Sequence, residues 1–225
     1  MSEIAKLIVQ GKEYEFPVVV GTEDEVAIDV KKLRSSTGGI ITIDPGFKNT
    51  GSCESKITFL DGEKGILRHR GYAIEELTKK ASFLEVAYLI IFGELPTREQ
   101  YGKWEKDIQH HALLNEEMKD IIDGFPTGAH PMGMVASLTN ALTAFNPATV
   151  DITSSEEIYT AITKLMGKFP VLAAWSHCKN QGAPFNYADN SLDYVANIMQ
   201  MMFRIPTEKY KLNPIAVRAL DELLI

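Results

Sequence analysis

Along the first 72 residues, apolar positions occur in short runs of β-branched and aromatic side chains, which are typical of β-strands. Residues 4–9 and 13–20 are rich in β-branched and aromatic side chains and flank Gln10-Gly11-Lys12, so they predict an opening hairpin. Residues 26–33 alternate between apolar and polar side chains, the spacing of two that a strand with one buried face shows. The pattern therefore predicts a β-rich N-terminal region with hairpins over residues 1–72.

Two further strand signals follow in this region. Residues 40–43 (Ile-Ile-Thr-Ile) predict a short strand, preceded by a loop at residues 35–39 that is rich in Ser and Gly. The runs 57–60 and 65–67 flank Asp61-Gly62, a dipeptide that favours tight hairpin turns because it tolerates positive φ. We therefore expect a second hairpin just before the helical part of the chain.

From residue 74 the period changes, because apolar residues recur every three or four positions, as on one face of an α-helix. Residues 82–85 (Ser-Phe-Leu-Glu) have the spacing of a capping box and open a helix over 83–92 that is apolar nearly all round, so we expect it to be central. A second capping box at 97–100 opens a long helix, or a helix pair interrupted at residues 113–115.

The remaining helices are predicted from caps and periodicity. A third capping box at 154–157 opens a helix in which Pro170 lies inside the apolar pattern, and its missing N–H predicts a kink or a break. Residues 131–145 and 192–203 predict two more helices. Asn213-Pro214 has the form of an N-cap followed by a first helical residue.

The last predicted helix has an apolar face that continues to Ile225 without the Gly, Asn or Pro that commonly ends a helix. We expect the chain to have been cut from a longer protein and to expose apolar surface that further residues would cover. Residues 73–225 are thus predicted to be the helical part of a mainly α domain, truncated at its C-terminal end.

Composition and charge exclude several classes of protein. The net charge is −7, whereas nucleic-acid-binding proteins usually carry a basic surface. The most apolar runs are shorter than the roughly 20 residues needed to cross a bilayer, and the N-terminus lacks the pattern of a secretory signal. Two widely separated cysteines predict neither a disulfide framework nor a zinc site, which fits a reducing, cytoplasmic setting.

The residues that could carry chemistry form no complete catalytic constellation. The five histidines lie outside metal-ligand spacings; they are His69, His110, His111, His130 and His177. Cys53, with Glu54 beside it and His69 further on, has the residue types of a nucleophile with a base. Without a family signature around it, the favoured interpretation is a buried, inert cysteine.

Two basic clusters are candidates for binding an anion. Arg68-His69-Arg70 can pair with a carboxylate or phosphate, although a surface or interface set of ion pairs is the favoured interpretation. His110-His111, with Lys164 and Lys168 elsewhere, is a weaker candidate for an anionic effector pocket, against the alternative of solvated helix faces. The glycines match no nucleotide-binding loop.

Several ordered motifs then change the picture: Asp44-Pro45-Gly46-Phe47, residues 52–62, His69-Arg70-Gly71-Tyr72, residues 93–97, His130-Pro131-Met132, Lys168-Phe169-Pro170, residues 197–203 and residues 210–214. They closely resemble the N-terminal region of citrate synthase, of the type typical of Gram-negative bacteria. The resemblance extends over nearly the whole chain. It implies the multi-helical large domain of that family, preceded by a small β-rich region.

The resemblance also implies an activity. Citrate synthases are acyltransferases of the tricarboxylic acid cycle that condense oxaloacetate with acetyl-CoA and water to citrate and CoA, without a metal or redox cofactor. The catalytic aspartate and histidines of the family belong to motifs that would follow Ile225, so this chain is expected to contain no catalytic residue and to be inactive alone. The alternatives are a 2-methylcitrate synthase that uses propionyl-CoA, and a non-enzymatic helical interaction module.

The Gram-negative type is commonly a homo-oligomer, a dimer or hexamer, that NADH inhibits away from the catalytic centre. By similarity, His111, Lys164 and Lys168 lie near positions of that NADH pocket. Other residues usual in the pocket are replaced here, by His110, Asn146 and Thr207. The resemblance implies neither nucleic acid nor membrane as a partner.

Overall fold

In the computed structural model, which describes residues 3–147 and 153–225, the chain divides into two units, Met1–Lys56 and Ile57–Ile225. The first unit contains a three-stranded antiparallel sheet in the order β1-β2-β3. Its strands are β1 (Ile4–Val9), β2 (Lys12–Val20) and β3 (Val26–Ile28). Gln10 and Gly11 make the turn between β1 and β2 with positive φ angles, which confirms the predicted opening hairpin.

Two predictions for the rest of this unit are wrong. Residues 35–39 were expected in a loop, but Leu33–Thr37 forms a short helix, α1, which ends at Gly38 in the left-handed conformation. The expected strand at 40–43 is absent from the part of the chain that the structure describes. Ile41 and Ile43 are exposed there, so β-branched composition alone did not create a strand without a partner to pair with.

The second unit begins with a small antiparallel sheet of β4 (Thr58–Asp61), β5 (Ile66–His69) and β6 (Tyr72–Ala73). The predicted hairpin is confirmed, but its tight Asp-Gly turn is not. Four residues connect β4 to β5, the Asp61 carboxylate accepts hydrogen bonds from the backbone N–H groups of Glu63 and Lys64, and Gly65 rather than Gly62 has positive φ. The Asp side chain thus shapes a wider turn.

Helices form the rest of this unit, so the chain is mainly α as predicted. They are α2 (Ile74–Lys80), α3 (Phe83–Phe92), α4 (Arg98–His110), α5 (Met118–Asp123), α6 (Pro131–Phe145), α7 (Ser155–Gln181), α8 (Tyr194–Phe203) and α9 (Pro214–Leu224). All three predicted capping boxes are present, at α3, α4 and α7. Asn213 caps α9 through its side-chain oxygen. The predicted interruption after α4 is confirmed as a separate helix, α5. Within the described ranges, no helix is long and apolar enough to cross a membrane.

The largest apolar cluster lies among α5, α6, α7 and α8 and includes Trp175, Leu172 and Leu138. A second cluster joins α3 to α4 through Leu84, Trp104 and Ile108. Helix α3 was expected to be central, and its buried residues Leu84, Val86 and Leu89 contribute to two clusters on different sides of the helix, but Ile91 and Phe92 at its end are exposed. Apolar composition thus predicted the burial of most of the helix and overstated that of its C-terminal end.

Pro170 does not split α7, which runs continuously from Ser155 to Gln181. Proline has no N–H to donate to the carbonyl four residues before it, which is that of Met166. The hydroxyl of Tyr194 on α8 donates to this carbonyl at 2.9 Å. A side chain from a neighbouring helix therefore supplies the hydrogen bond that the proline removes.

Candidate functional site

The C-terminal end of α4 lies almost directly on α7. A Cβ atom built on Gly167 would lie 2.4 Å from the carbonyl oxygen of Ile108, so only glycine permits this approach. The contact places His111, the C-cap residue directly after α4, next to the stretch of α7 that contains Lys164 and Lys168. We call these three residues the cationic cluster.

Lys168 is the buried member of the cationic cluster, with 8% of its surface exposed. Its Nζ donates to the carbonyl oxygen of Leu113, in the connection between α4 and α5. Burial lowers the pKa of Lys168, and the nearby charge of Lys164 lowers it further. The lysine therefore stabilises the packing of this connection on α7 as well as contributing charge.

His111 is partly buried beside the two lysines. Burial lowers its pKa, and the positive charges of Lys164 and Lys168 act in the same direction, while Asp107 opposes them. The Asp107 carboxylate is itself engaged, since it accepts hydrogen bonds from Lys103 at 2.6 Å and from the Tyr159 hydroxyl at 2.7 Å. At neutral pH the two lysines therefore supply the positive charge of the cationic cluster, and the neighbouring carboxylate of Asp107 is engaged by Lys103 and Tyr159.

The other residues associated with this site by resemblance occupy separate elements. His110 is exposed on α4, and its ring Nδ1 lies 2.6 Å from the carbonyl oxygen of Lys106. Asn146 ends α6 and donates to the carbonyl of Leu142. Thr207 is exposed in the turn after α8. Of the residues of this candidate site, the structure brings together His111, Lys164 and Lys168. From the sequence, this was the weaker of the two candidates for an anion site.

Arg68-His69-Arg70 has structural partners. Arg70 has a φ of 50° and donates through a guanidinium nitrogen to the carbonyl of Ile90 at 2.7 Å, near the C-terminal end of α3, where a cation is favourable. The Arg68 guanidinium carbon lies 6.0 Å from the centre of the Phe59 ring. These contacts favour a scaffold role for the segment over an anion site.

Cys53 was expected to be buried, and that expectation is wrong, because its side chain is exposed. It belongs to the first unit, whereas His69, its suggested base, belongs to the second and lies within hydrogen-bonding distance of Thr58. Cys178 is the buried cysteine. In the described ranges, no group of three or more His, Cys, Asp or Glu residues could hold a metal ion.

A cavity of about 530 Å³ opens between α3, α4, α8 and α9. Its walls are mainly apolar, with Leu84, Tyr194 and Val217 among them, and Arg218 and Asp221 on α9 add charge. Tyr101 also lines it, and burial raises the pKa of this phenol to about 12, so it stays protonated at neutral pH. The sequence contains no motif that indicates this cavity, because its residues come from four separate helices.

Comparison with known proteins gives a consistent result. Residues 46–225 match the family model described as citrate synthase, C-terminal domain. A citrate synthase from Corynebacterium glutamicum is 45% identical over 215 residues, which make up 96% of this chain and 49% of that protein. The chain thus spans about half the length of this curated relative.

Solved structures agree with this match. The citrate synthase of Pyrobaculum aerophilum aligns with a TM-score of 0.69 and 29% identity, over 80% of this chain and 46% of that one. A ternary complex of carboxymethyl coenzyme A and oxalateacetate with citrate synthase from Thermoplasma acidophilum aligns with a TM-score of 0.72, again over 80% of this chain and 46% of that one. Its identity is 20%, so this likeness concerns the fold alone.

Proposed function

Because this chain belongs to the citrate synthase family, we propose that it forms part of an enzyme that condenses oxaloacetate with acetyl-CoA and water to citrate and CoA. The observation that carries the proposal is the 45% identity, which extends over 96% of this chain. The proposed enzyme is an acyltransferase of the tricarboxylic acid cycle that needs no metal or redox cofactor. We place it in the cytoplasm as a homo-oligomer, as is typical of the type that it resembles.

We further propose that the 225 residues alone do not catalyse this reaction. The five histidines of the chain are dispersed over β5, the end of α4, the N-cap of α6 and the C-terminal part of α7. Within the described ranges, no hydrogen bond joins any of them to a carboxylate. General acid–base catalysis requires such groups to converge on one substrate.

The experiment follows the release of CoA from acetyl-CoA and oxaloacetate. The exposed thiol of Cys53 would react with a thiol reagent, so a Cys53→Ser variant, or the loss of thioester absorbance, should be used. The chain alone is expected to release CoA no faster than a control that contains buffer without protein. The same chain, co-expressed with the part of the C. glutamicum enzyme that has no counterpart in it, is expected to release CoA only when oxaloacetate is present.

Release of CoA by the chain alone would contradict its proposed inactivity. An assembled protein that turns over neither acetyl-CoA nor propionyl-CoA would contradict the proposed enzyme and favour the non-enzymatic module. Faster turnover of propionyl-CoA would identify a 2-methylcitrate synthase instead. The C. glutamicum citrate synthase itself serves as the positive control.

We also propose that the cationic cluster binds the phosphates of an anionic nucleotide such as NADH in the assembled enzyme. Lys164 is the accessible cation for this contact, because Lys168 already donates to the carbonyl of Leu113. Lys164→Met should weaken NADH binding about tenfold, the effect of losing one charge-assisted hydrogen bond. Lys80→Met, which removes an exposed lysine paired with Glu76 on α2, is the control and should leave NADH binding unchanged.

A further inference from the structure

The Asp107 carboxylate lies between two possible partners at the end of α4. Lys103 precedes it by four residues and His111 follows it by four, and side chains four positions apart are neighbours on a helix. The carboxylate is turned toward Lys103, whose Nζ donates to its Oδ2 at 2.6 Å. In the described part of the chain no hydrogen bond joins Asp107 to His111, although the carboxylate is near enough to raise the pKa of that histidine. Asp107 therefore has two alternative pairings, of which the structure shows one.

The hydroxyl of Tyr159 on α7 fixes this choice. It donates to the same Oδ2 atom of Asp107 at 2.7 Å. The Lys103 side chain is 68% exposed, and an exposed ion pair alone contributes little to holding a carboxylate in place. The Tyr159 ring, in contrast, is held by packing, since its centre lies 6.0 Å from that of Trp104 and 6.1 Å from that of Phe92. Tyr159 is thus the rigid partner of the carboxylate.

Helix α7 supplies both this tyrosine and the lysines of the cationic cluster. Tyr159 contacts Asp107 on α4, and Lys164 and Lys168 further along α7 act on His111 at the end of α4. Burial raises the pKa of Tyr159, and its hydrogen bond to Asp107 raises it further, so the phenol stays protonated as a donor at neutral pH. A single negative charge therefore lies about one helical turn from the cationic cluster and is held on its far side.

We propose that Asp107 is a built-in competitor for the cationic cluster and that Tyr159 is the positioning residue that holds it away. Without the Tyr159 hydroxyl, the carboxylate is free to turn to His111, where its negative charge opposes that of a phosphate group at the cluster. The inference rests on the proposed binding of an anionic nucleotide at this site, and it adds a contact that regulates the affinity. Tyr159 has this effect without touching the ligand.

The first test follows His111 in Tyr159→Phe, which removes the hydroxyl and keeps the ring. In the 225-residue chain with ¹³C-labelled histidine, an NMR titration should show the pKa of His111 rising toward its ordinary value of 6.5, because the released carboxylate favours the charged imidazole. The other charged groups that act on His111 are unchanged in this variant; they are Lys164, Lys168 and His110. His111→Gln identifies the signal of this histidine.

The second test measures NADH binding to the co-expressed assembly described above, at about pH 8, where His111 is neutral in both proteins. Tyr159→Phe should weaken binding about two- to fivefold, the range that partly exposed charge pairs give. Adding Asp107→Asn to this variant should restore the affinity at least to that of the unaltered assembly, because the competing charge is then gone. A merely structural role of Tyr159 would not be rescued in this way.

Tyr101→Phe is the matched control, because the Tyr101 hydroxyl also donates to a carboxylate on α4, that of Glu105, but lies about 15 Å before His111 along the helix. It should change neither the pKa of His111 nor NADH binding. The proposal is overturned if Tyr159→Phe leaves the pKa of His111 unchanged, if the control has the same effects, or if Asp107→Asn fails to restore binding. An unaltered assembly that binds no NADH, together with a raised pKa of His111 in Tyr159→Phe, would contradict the nucleotide proposal and support the positioning of Asp107 by Tyr159.

Discussion

Two residues at the contact between α4 and α7 show how single positions shape the candidate site. Gly167 permits the approach of the helices, and Lys168, directly after it, donates to the carbonyl of Leu113 across the same contact. His111 is held beside both lysines as a consequence. Backbone packing thus brings a histidine next to two lysines that are distant from it in the sequence.

Replacing Gly167 with alanine tests this contact. The added methyl group would lie 2.4 Å from the Ile108 carbonyl oxygen, so the helices must separate. We expect a loss of about 1–3 kcal/mol in the free energy of unfolding, measured by urea denaturation. Gly102→Ala in α4 is the control, because its Cβ meets no atom within 4 Å, and it should be neutral or slightly stabilising. Equal effects of the two substitutions would disprove the close approach.

His111 predicts a dependence of stability on pH. Its pKa in the folded protein is lowered from the ordinary value of 6.5, chiefly by burial and then by Lys164 and Lys168. Between the lowered pKa of His111 in the folded protein and its ordinary pKa in the unfolded chain, the unfolded chain binds more protons. The free energy of unfolding should therefore fall as the pH decreases below 6.5. His111→Gln should lose less stability than the unaltered chain between pH 7.5 and 5.5. An unchanged pH dependence in urea denaturation would contradict this assignment.

At the scale of elements, one helix supplies a hydrogen bond that its neighbour lacks. The proline in α7 leaves the Met166 carbonyl without its usual donor, and Tyr194 of α8 provides one. Burial raises the pKa of Tyr194, which keeps the phenol protonated as the donor. The long helix therefore stays continuous because α8 packs against it.

A double-mutant cycle measures this compensation. Tyr194→Phe should lower the free energy of unfolding by about 1–3 kcal/mol, because the Met166 carbonyl is then left without a partner. In a Pro170→Ala background the new N–H can bond that carbonyl itself, so the same substitution should cost clearly less. Equal costs in the two backgrounds would show that the hydroxyl has no role in bridging the proline.

At the scale of the whole molecule, the second unit combines well-packed clusters with exposed apolar surface on α9. Surface of this kind usually marks an interaction site. The chain alone is therefore expected to bind a hydrophobic dye and to self-associate as its concentration rises.

A double variant, Ile215→Glu with Leu223→Lys, should reduce both dye fluorescence and self-association, because it places charge on exposed apolar residues of α9. Dye fluorescence and light scattering measure the two effects, and Met132→Glu, at an exposed residue of α6, serves as the control. A clean monomer that binds no dye would show that the apolar residues of α9 are covered in solution.

Much of the fold could be predicted from short stretches of sequence. The capping boxes at Ser82, Thr97 and Ser154, the Asn213 cap and the turn at Gly11 each depend on residues within a few positions of one another, so local physics determined them. The motifs that resemble citrate synthase were equally readable, and the family is confirmed by the comparisons. The short helix α1 and the missing strand at 40–43 were mispredicted, because composition does not specify a pairing partner.

Only the tertiary structure decided which distant residues meet. Tyr194 is 28 positions from the carbonyl that it bonds, and Asp221 is 138 positions from the N–H that it caps. His111 is next to Lys164 and Lys168 only because Gly167 lets two helices approach. The sequence by itself determined most of the helices and the family, since those depend on local spacing and motifs. The cationic cluster and the exposure of apolar residues on α9 depend on packing, which no local pattern encodes.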